Sequence, residues 1–189
     1  NARNLANLLG TNTTIQTAKL ADSAVSTAKL ADSAVTSAKV PSGSIIQVKT
    51  FPWTAQSNTN STSFTSMGQI GAITTTRASS KILVISNIPL QVYGAENTRY
   101  MIELRSSHDS YGSALTRHNA INYSDSSGQW VKPHLGWNHL HNHGQSVGTT
   151  INYRTYIARL AGSQNAYYSD FWGDGSPQEY ETTLMELVG

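Results

Sequence analysis

Thr17-Ala-Lys-Leu-Ala-Asp-Ser-Ala-Val-Ser26 is followed without a break by Thr27-Ala-Lys-Leu-Ala-Asp-Ser-Ala-Val-Thr36. A third copy starts at Ser37-Ala-Lys-Val40 and stops at Pro41-Ser-Gly43. The aliphatics Ile15, Leu20, Val25, Leu30, Val35 and Val40 therefore recur every five residues. On an α-helix five residues turn through about 500°, so these side chains would spiral instead of forming a stripe. On a continuous strand an odd spacing throws them onto alternate faces, and a coiled coil needs a 3.5-residue average. A repeating short segment and turn remains, with Asp22-Ser23 and Asp32-Ser33 as turn or cap residues.

One such unit cannot hold itself together. A buried Leu or Val contributes roughly 1.5–3 kcal/mol, whereas ordering each backbone unit costs about 1–2 kcal/mol. The surrounding alanines add little to bury but allow other chains to approach. Residues 15–43 are thus expected to form a stalk whose aliphatics pack around an axis shared with sister copies. A flexible Ala/Ser/Thr linker is the competing reading, but a linker has no reason to keep register. Upstream, Ala2, Leu5, Leu8 and Leu9 have helical spacing before Gly10, which marks 1–14 as a short helical attachment segment. The chain begins at Asn1, and is read as part of a longer polypeptide or a processed product.

From Ser44 onward the pattern becomes alternating and β-branched. Strands are expected over 44–51, 69–76, 81–93, 99–105, 149–160 and 181–188. Ile82-Leu83-Val84-Ile85 is apolar on both faces and is expected to lie centrally between layers. Tyr100, Ile102 and Leu104 share one face, as do Ile151, Tyr153 and Ile157. Residues 44–189 are therefore expected to fold as an all-β, antiparallel, jelly-roll-like sandwich, a knob at the end of the stalk. The segments 106–148 and 162–180 carry little strand signal and read as loops. They hold most of the knob's aromatics, among them Tyr123, Trp130, Trp137, Tyr168 and Trp172.

Composition excludes several partners. Thirteen Lys and Arg are scattered among eleven Asp and Glu, without the basic patch of a nucleic-acid binder. There is no cysteine, hence no disulfide framework or thiolate metal site. The apolar run Ile82–Ile85 is far too short to span a bilayer. Gly144-Gln-Ser146-Val-Gly148 matches a nucleophile elbow in letters, but an elbow needs a following helix and a strand pattern follows here. The acidic residues form no recognisable pair for glycoside hydrolysis, so the chain is not read as an enzyme. His139, His141 and His143 would share one face of an extended segment, a donor set suited to iron or zinc; a polar loop with locally bonded histidines is the plainer reading.

The tandem repeat, followed by Gly43-Ser-Ile-Ile-Gln-Val48, resembles the shafts of tailed-bacteriophage tail fibres and related virion spikes. In that family a repetitive shaft opens into a small β-rich tip, and Ser79-Ser-Lys-Ile-Leu-Val84 and Thr183-Leu-Met-Glu-Leu187 are similar to such tips. The resemblance covers residues 15–50 and the last strand and fades over 106–146. It implies a homotrimer on the outside of a virion, joined to other virion proteins on its N-terminal side. Some phage fibres hold iron with His-x-His pairs from three chains, although in a narrow shaft and not in a tip. Flat aromatics beside polar side chains suit sugar rings, so Trp130, Trp137 and Trp172, with Tyr123 and Tyr168, are candidate contacts for a host glycan or lipopolysaccharide. A head or tail decoration fibre without receptor role, and a fibre-borne glycan depolymerase, are the alternatives.

Replacing Leu20, Val25, Leu30 and Val35 together by Ser is expected to loosen the stalk and weaken self-association while the β signal of the knob in circular dichroism stays intact. Light scattering that finds the unsubstituted chain already monomeric contradicts the stalk reading.

Overall fold

The computed structural model describes Ser26 and residues 39–53, 57–94, 98–121, 129–131, 134–162, 166–168 and 180–189. The attachment segment and the stalk aliphatics Ile15 to Val35 lie outside the described residues. The chain divides into two compact units, Asn1–Lys39 and Val40–Gly189, and the strands of the described residues belong to the second.

Its described residues form eleven strands: β1 Ile45–Trp53, β2 Ser57–Thr59, β3 Thr65–Thr74, β4 Lys81–Gly94, β5 Arg99–Ser106, β6 Thr116–Ile121, β7 Gln129–Val131, β8 His134–His141, β9 Thr150–Ala161, β10 Ala166–Tyr168 and β11 Tyr180–Leu187. All pairings are antiparallel. The organiser is β4, whose 14 residues span about 43 Å at 3.3 Å per step. On one side β11 pairs with its first half, from Leu187↔Lys81 to Thr182↔Ser86, and β10 with its far half. On the other side β8 runs from His141↔Ile82 to His134↔Pro89, and β7 continues at Val92–Gly94.

One sheet thus reads β1-β11-β4-β8, with β2, β10 and β7 prolonging it at the far end, and the other reads β3-β9-β5-β6. The chain crosses between the sheets after β2, β3, β4, β6, β8 and β9. Strands interleaved in this way between two antiparallel sheets make a jelly roll, and the all-β sandwich expected from alternation is what the residues form.

The alternation also sets the core. Ile82, Val84, Ile88 and Leu90 of β4, Leu184 of β11 and Trp137 of β8 meet Met67, Ile70 and Ile73 of β3, Tyr100, Ile102 and Leu104 of β5, and Ile151, Tyr153 and Ile157 of β9. All are at most 2 % exposed. Gly71 gives room for this packing: a Cβ there would come within 3.0 Å of the Phe51 ring and 3.1 Å of a Leu184 methyl.

Three expectations need correction. The segment 106–148, expected as loop, contains β6, β7 and β8; β6 is a polar edge strand, and the inward row of β8 is aromatic and histidine-rich instead of aliphatic. The segment 162–180 likewise contains β10. Residues 82–85 do not lie between layers: Ile82 and Val84 are buried, but Ile85 on the opposite face is 36 % exposed, because a two-layer sandwich covers each sheet once.

Trp137→Ala is expected to cost about 3–5 kcal/mol of unfolding free energy, as for other large core truncations. Urea denaturation at fixed protein concentration checks this, and a loss below about 1 kcal/mol contradicts the burial of the indole.

Candidate functional site

β8 turns alternate side chains into the sandwich, so Leu135, Trp137, His139 and His141 form one inward row and His143 continues it beyond the strand. The row lies at a sheet edge, since β8 pairs on one side with β4, and β6 is the corresponding edge of the other sheet. His118 of β6 packs on Trp137 with ring centroids 4.7 Å apart. His108, in the 3₁₀ turn Ser107–Asp109 after β5, meets the His141 ring edge-on at 4.9 Å. Five histidines therefore gather along one edge of the sandwich, with His118 on its exposed rim.

Hydrogen bonds fix how each ring is used. Gln145 N–H donates to His143 Nδ1 at 2.9 Å, which assigns the proton of the neutral ring to Nε2, 3.3 Å from Ser80 Oγ. Ser80 in turn donates to Glu186 Oε1 at 2.6 Å. Glu186 also accepts from the Thr76 N–H and hydroxyl, the Arg77 N–H and the Gln47 amide. It is a buried carboxylate that pins the β3–β4 turn. Burial acts to raise its pKa, but the hydrogen bonds from Ser80, Thr76 and Arg77 outweigh it and leave the group below its ordinary value.

Tyr153 of β9 lies with its hydroxyl 2.9 Å from His141 Nδ1. Burial raises the phenol pKa, so the hydroxyl keeps the proton it can donate to Nδ1, the arrangement that places the His141 proton on Nε2. That atom is buried without a hydrogen-bond partner, a cost of about 1–3 kcal/mol. Burial, and then the approach of His108, His143 and His139, pushes the His141 pKa down to about 4. Burial lowers His139 and His143 as well. The row is neutral at physiological pH.

The metal site expected from His139, His141 and His143 is not formed. Residues two apart on a strand stand in line, with successive ring centroids 6.4 and 6.1 Å apart; they do not converge on a point. Among the described residues no three His, Asp or Glu side chains could hold a metal ion. His141 and His143 are 3 % and 2 % exposed, so they do not face an axis where sister chains could add ligands. Nor does Glu186–Ser80–His143 form a nucleophile relay. There the serine would give its proton to the imidazole, whereas here imidazole donates to serine and serine to carboxylate. Ser146 is followed by β9 and not by the helix an elbow requires.

Of the candidate receptor contacts, Trp137 must be withdrawn: its indole is 0 % exposed. Trp130 and Tyr168 lie on β7 and β10, which pair with the far half of β4. That is the end opposite Gly43, whose N–H donates to Val188 O. Trp172 and Tyr123 lie outside the described residues. One cluster has no motif to announce it. Around β5 and β9, Arg105 stacks on Phe64 and Tyr156, and Arg154 on Tyr111. Buried Glu103 pairs with Arg105 and Arg117. The alternation of these arginines with the core residues of their strands is the clue that the sequence holds.

No protein-family model matches the chain, and no curated protein does. Among solved structures it is similar to the Gx strain of infectious bursal disease virus at 12 % identity and TM-score 0.37, over 76 % of this chain and 38 % of that one. A T13 particle of the same virus gives 12 % and 0.36, over 77 % and 37 %. The VP2 subviral particle gives 12 % and 0.35, over 77 % and 38 %. The chain spans under two fifths of those chains, and a likeness so distant adds nothing to the strand order.

The histidine row has a consequence in acid. A histidine whose folded pKa is depressed binds its proton first in the unfolded chain, so stability rises with pH across the gap. The stability that His141 contributes is full above about 6.5 and is lost as pH falls toward about 4. The lowered Glu186 acts in the same direction, with its share lost as pH falls below its ordinary value of 4.5. The urea midpoint is expected to fall between pH 6.5 and 4, and His141→Phe is expected to flatten that slope by about one proton. An unchanged slope in the variant contradicts the buried neutral imidazole.

Proposed function

We propose that the chain forms a trimeric virion fibre of a tailed phage, exposed on the particle exterior, whose jelly-roll tip adheres to a glycan or lipopolysaccharide on the host surface. The observation that carries the reading is the five-residue aliphatic register running directly into the knob at Val40. A segment that needs sister copies is joined covalently to a rigid β domain, which is the plan of an adhesive fibre. Jelly rolls recur in viral coat and lectin domains, and that is analogy of fold, since function is set by the site.

The placement of the aromatics supports an adhesive tip. Trp130 and Tyr168 belong to strands at the end of the knob remote from residue 40, and the Trp172 segment leads from β10 to β11. Three tips linked on one shaft raise avidity by roughly 10²–10⁴ over a single site when all engage. Each site can therefore be shallow and weak.

Trp130→Ala or Trp172→Ala is expected to weaken binding of the labelled full chain to host cells more than tenfold, with melting temperature and assembly unchanged. Wild-type chain that binds no cells under any condition overturns the adhesin in favour of a decoration fibre. Release of reducing sugars from capsule or lipopolysaccharide overturns it in favour of a depolymerase.

A further inference from the structure

The outer face of the β1-β11-β4-β8 sheet carries an apolar surface that the described residues do not cover. Of the six large hydrophobics exposed among those residues, Ile45, Val48, Ile85 and Leu140 lie on this face. Register aligns them. Val48 pairs with Met185, Met185 with Leu83 and Leu83 with Leu140, an uncharged row across all four strands. Val48 and Leu140 at its ends are 51 % and 50 % exposed.

The face is graded along the strands. Nearest the end where residue 40 lies, Ile45 pairs with Leu187 and Leu187 with Lys81, the one charge in that row. The fully apolar row comes next. Thr50, Thr183, Ile85 and Asn138 follow in register, and then the pairs Pro52–Glu181 and Asn87–Gly136. Apolar character peaks in the second row, in the half of the sheet nearer residue 40, and fades beyond it. The point at which the preceding chain enters is fixed: Val40 O accepts from Arg77 Nη1 at 3.3 Å, and Gly43 N–H donates to Val188 O at 2.8 Å.

We infer that this face is covered by a second copy of the same chain. The 39 residues before Val40 carry the repeat whose aliphatics have no single-chain solution, and they enter the knob a few residues before Val48. Stalks gathered on an axis therefore bring the proximal halves of these sheets together first, and the apolar rows lie in those halves. The inference rests on the reading of the stalk as self-associating. It adds which face of the knob joins the contact: the outer side of β4, whose residues 82–85 are apolar on both faces although the sandwich buries one.

The chain has no cysteine, so single-cysteine variants of the full chain report on single positions. Val48→Cys, Leu83→Cys and Leu140→Cys are compared with Leu160→Cys, a residue 50 % exposed on the other sheet. Maleimide labelling is expected to be at least tenfold slower at positions 48 and 140 than at 160, and equal in denaturant. A short bismaleimide is expected to join chains covalently in at least one of the three face variants. Light scattering on the same samples separates the outcomes. An oligomer that labels equally at 48, 140 and 160 overturns the face while the stalk reading stands. A monomer overturns both. Protection without joined chains puts a segment of the same chain on the face and overturns the second copy.

Discussion

Strand β4 has apolar side chains on both faces, and a two-layer sandwich can bury only one of them. Its inner row, Ile82, Val84, Ile88 and Leu90, lies at the centre of the core, and β11 with β10 on one side and β8 with β7 on the other take their register from it. Its outer row continues sideways through Met185 to Val48 and through Leu83 to Leu140. Burying that row after folding stabilises an assembly by the same hydrophobic effect that holds the core, at about 25 cal/mol per Å². The stalk, on the proposed reading, gathers the copies needed for this.

The opposite edge of the interior follows another rule. There β8 turns histidines inward, kept neutral by burial, and specific hydrogen bonds place two of them, from Gln145 to His143 and from Tyr153 to His141. Imidazoles in line along a strand make a polar edge of the core, not a metal cage. The carboxylate of Glu186 belongs to the same network through Ser80 and ties the β3–β4 turn to the last strand. The end of the knob near residue 40 is thus hydrogen-bonded tightly, and the far end is where short strands and aromatic segments are found.

Much of the fold is legible in the sequence because period-two alternation survives wherever the inward residues are aliphatic. β3, β4, β5, β9 and β11 show it, and their buried faces are those the alternation gives. β8 does not, because His139 and His141 do not look like inward residues in isolation, and β6 does not, because it is a polar edge strand with little to bury. The same blindness places Trp137 among the receptor contacts: a tryptophan in a histidine-rich stretch reads as a binding loop until the strand beneath it is seen. The shared face of His139, His141 and His143 is real, but period two spreads ligands along a line. The open outer face of β4 is present in the sequence as an excess of apolar residues, and only the two-layer topology shows that no third layer rests against it among the described residues.

Assembly is the premise from which the fibre, its avidity and its covered face all follow. Native mass spectrometry of the full chain at micromolar concentration and neutral pH measures it directly. The predicted result is a dominant species of three times the 20.4 kDa chain mass. A single species at the mass of one chain, unchanged on concentration, would contradict it.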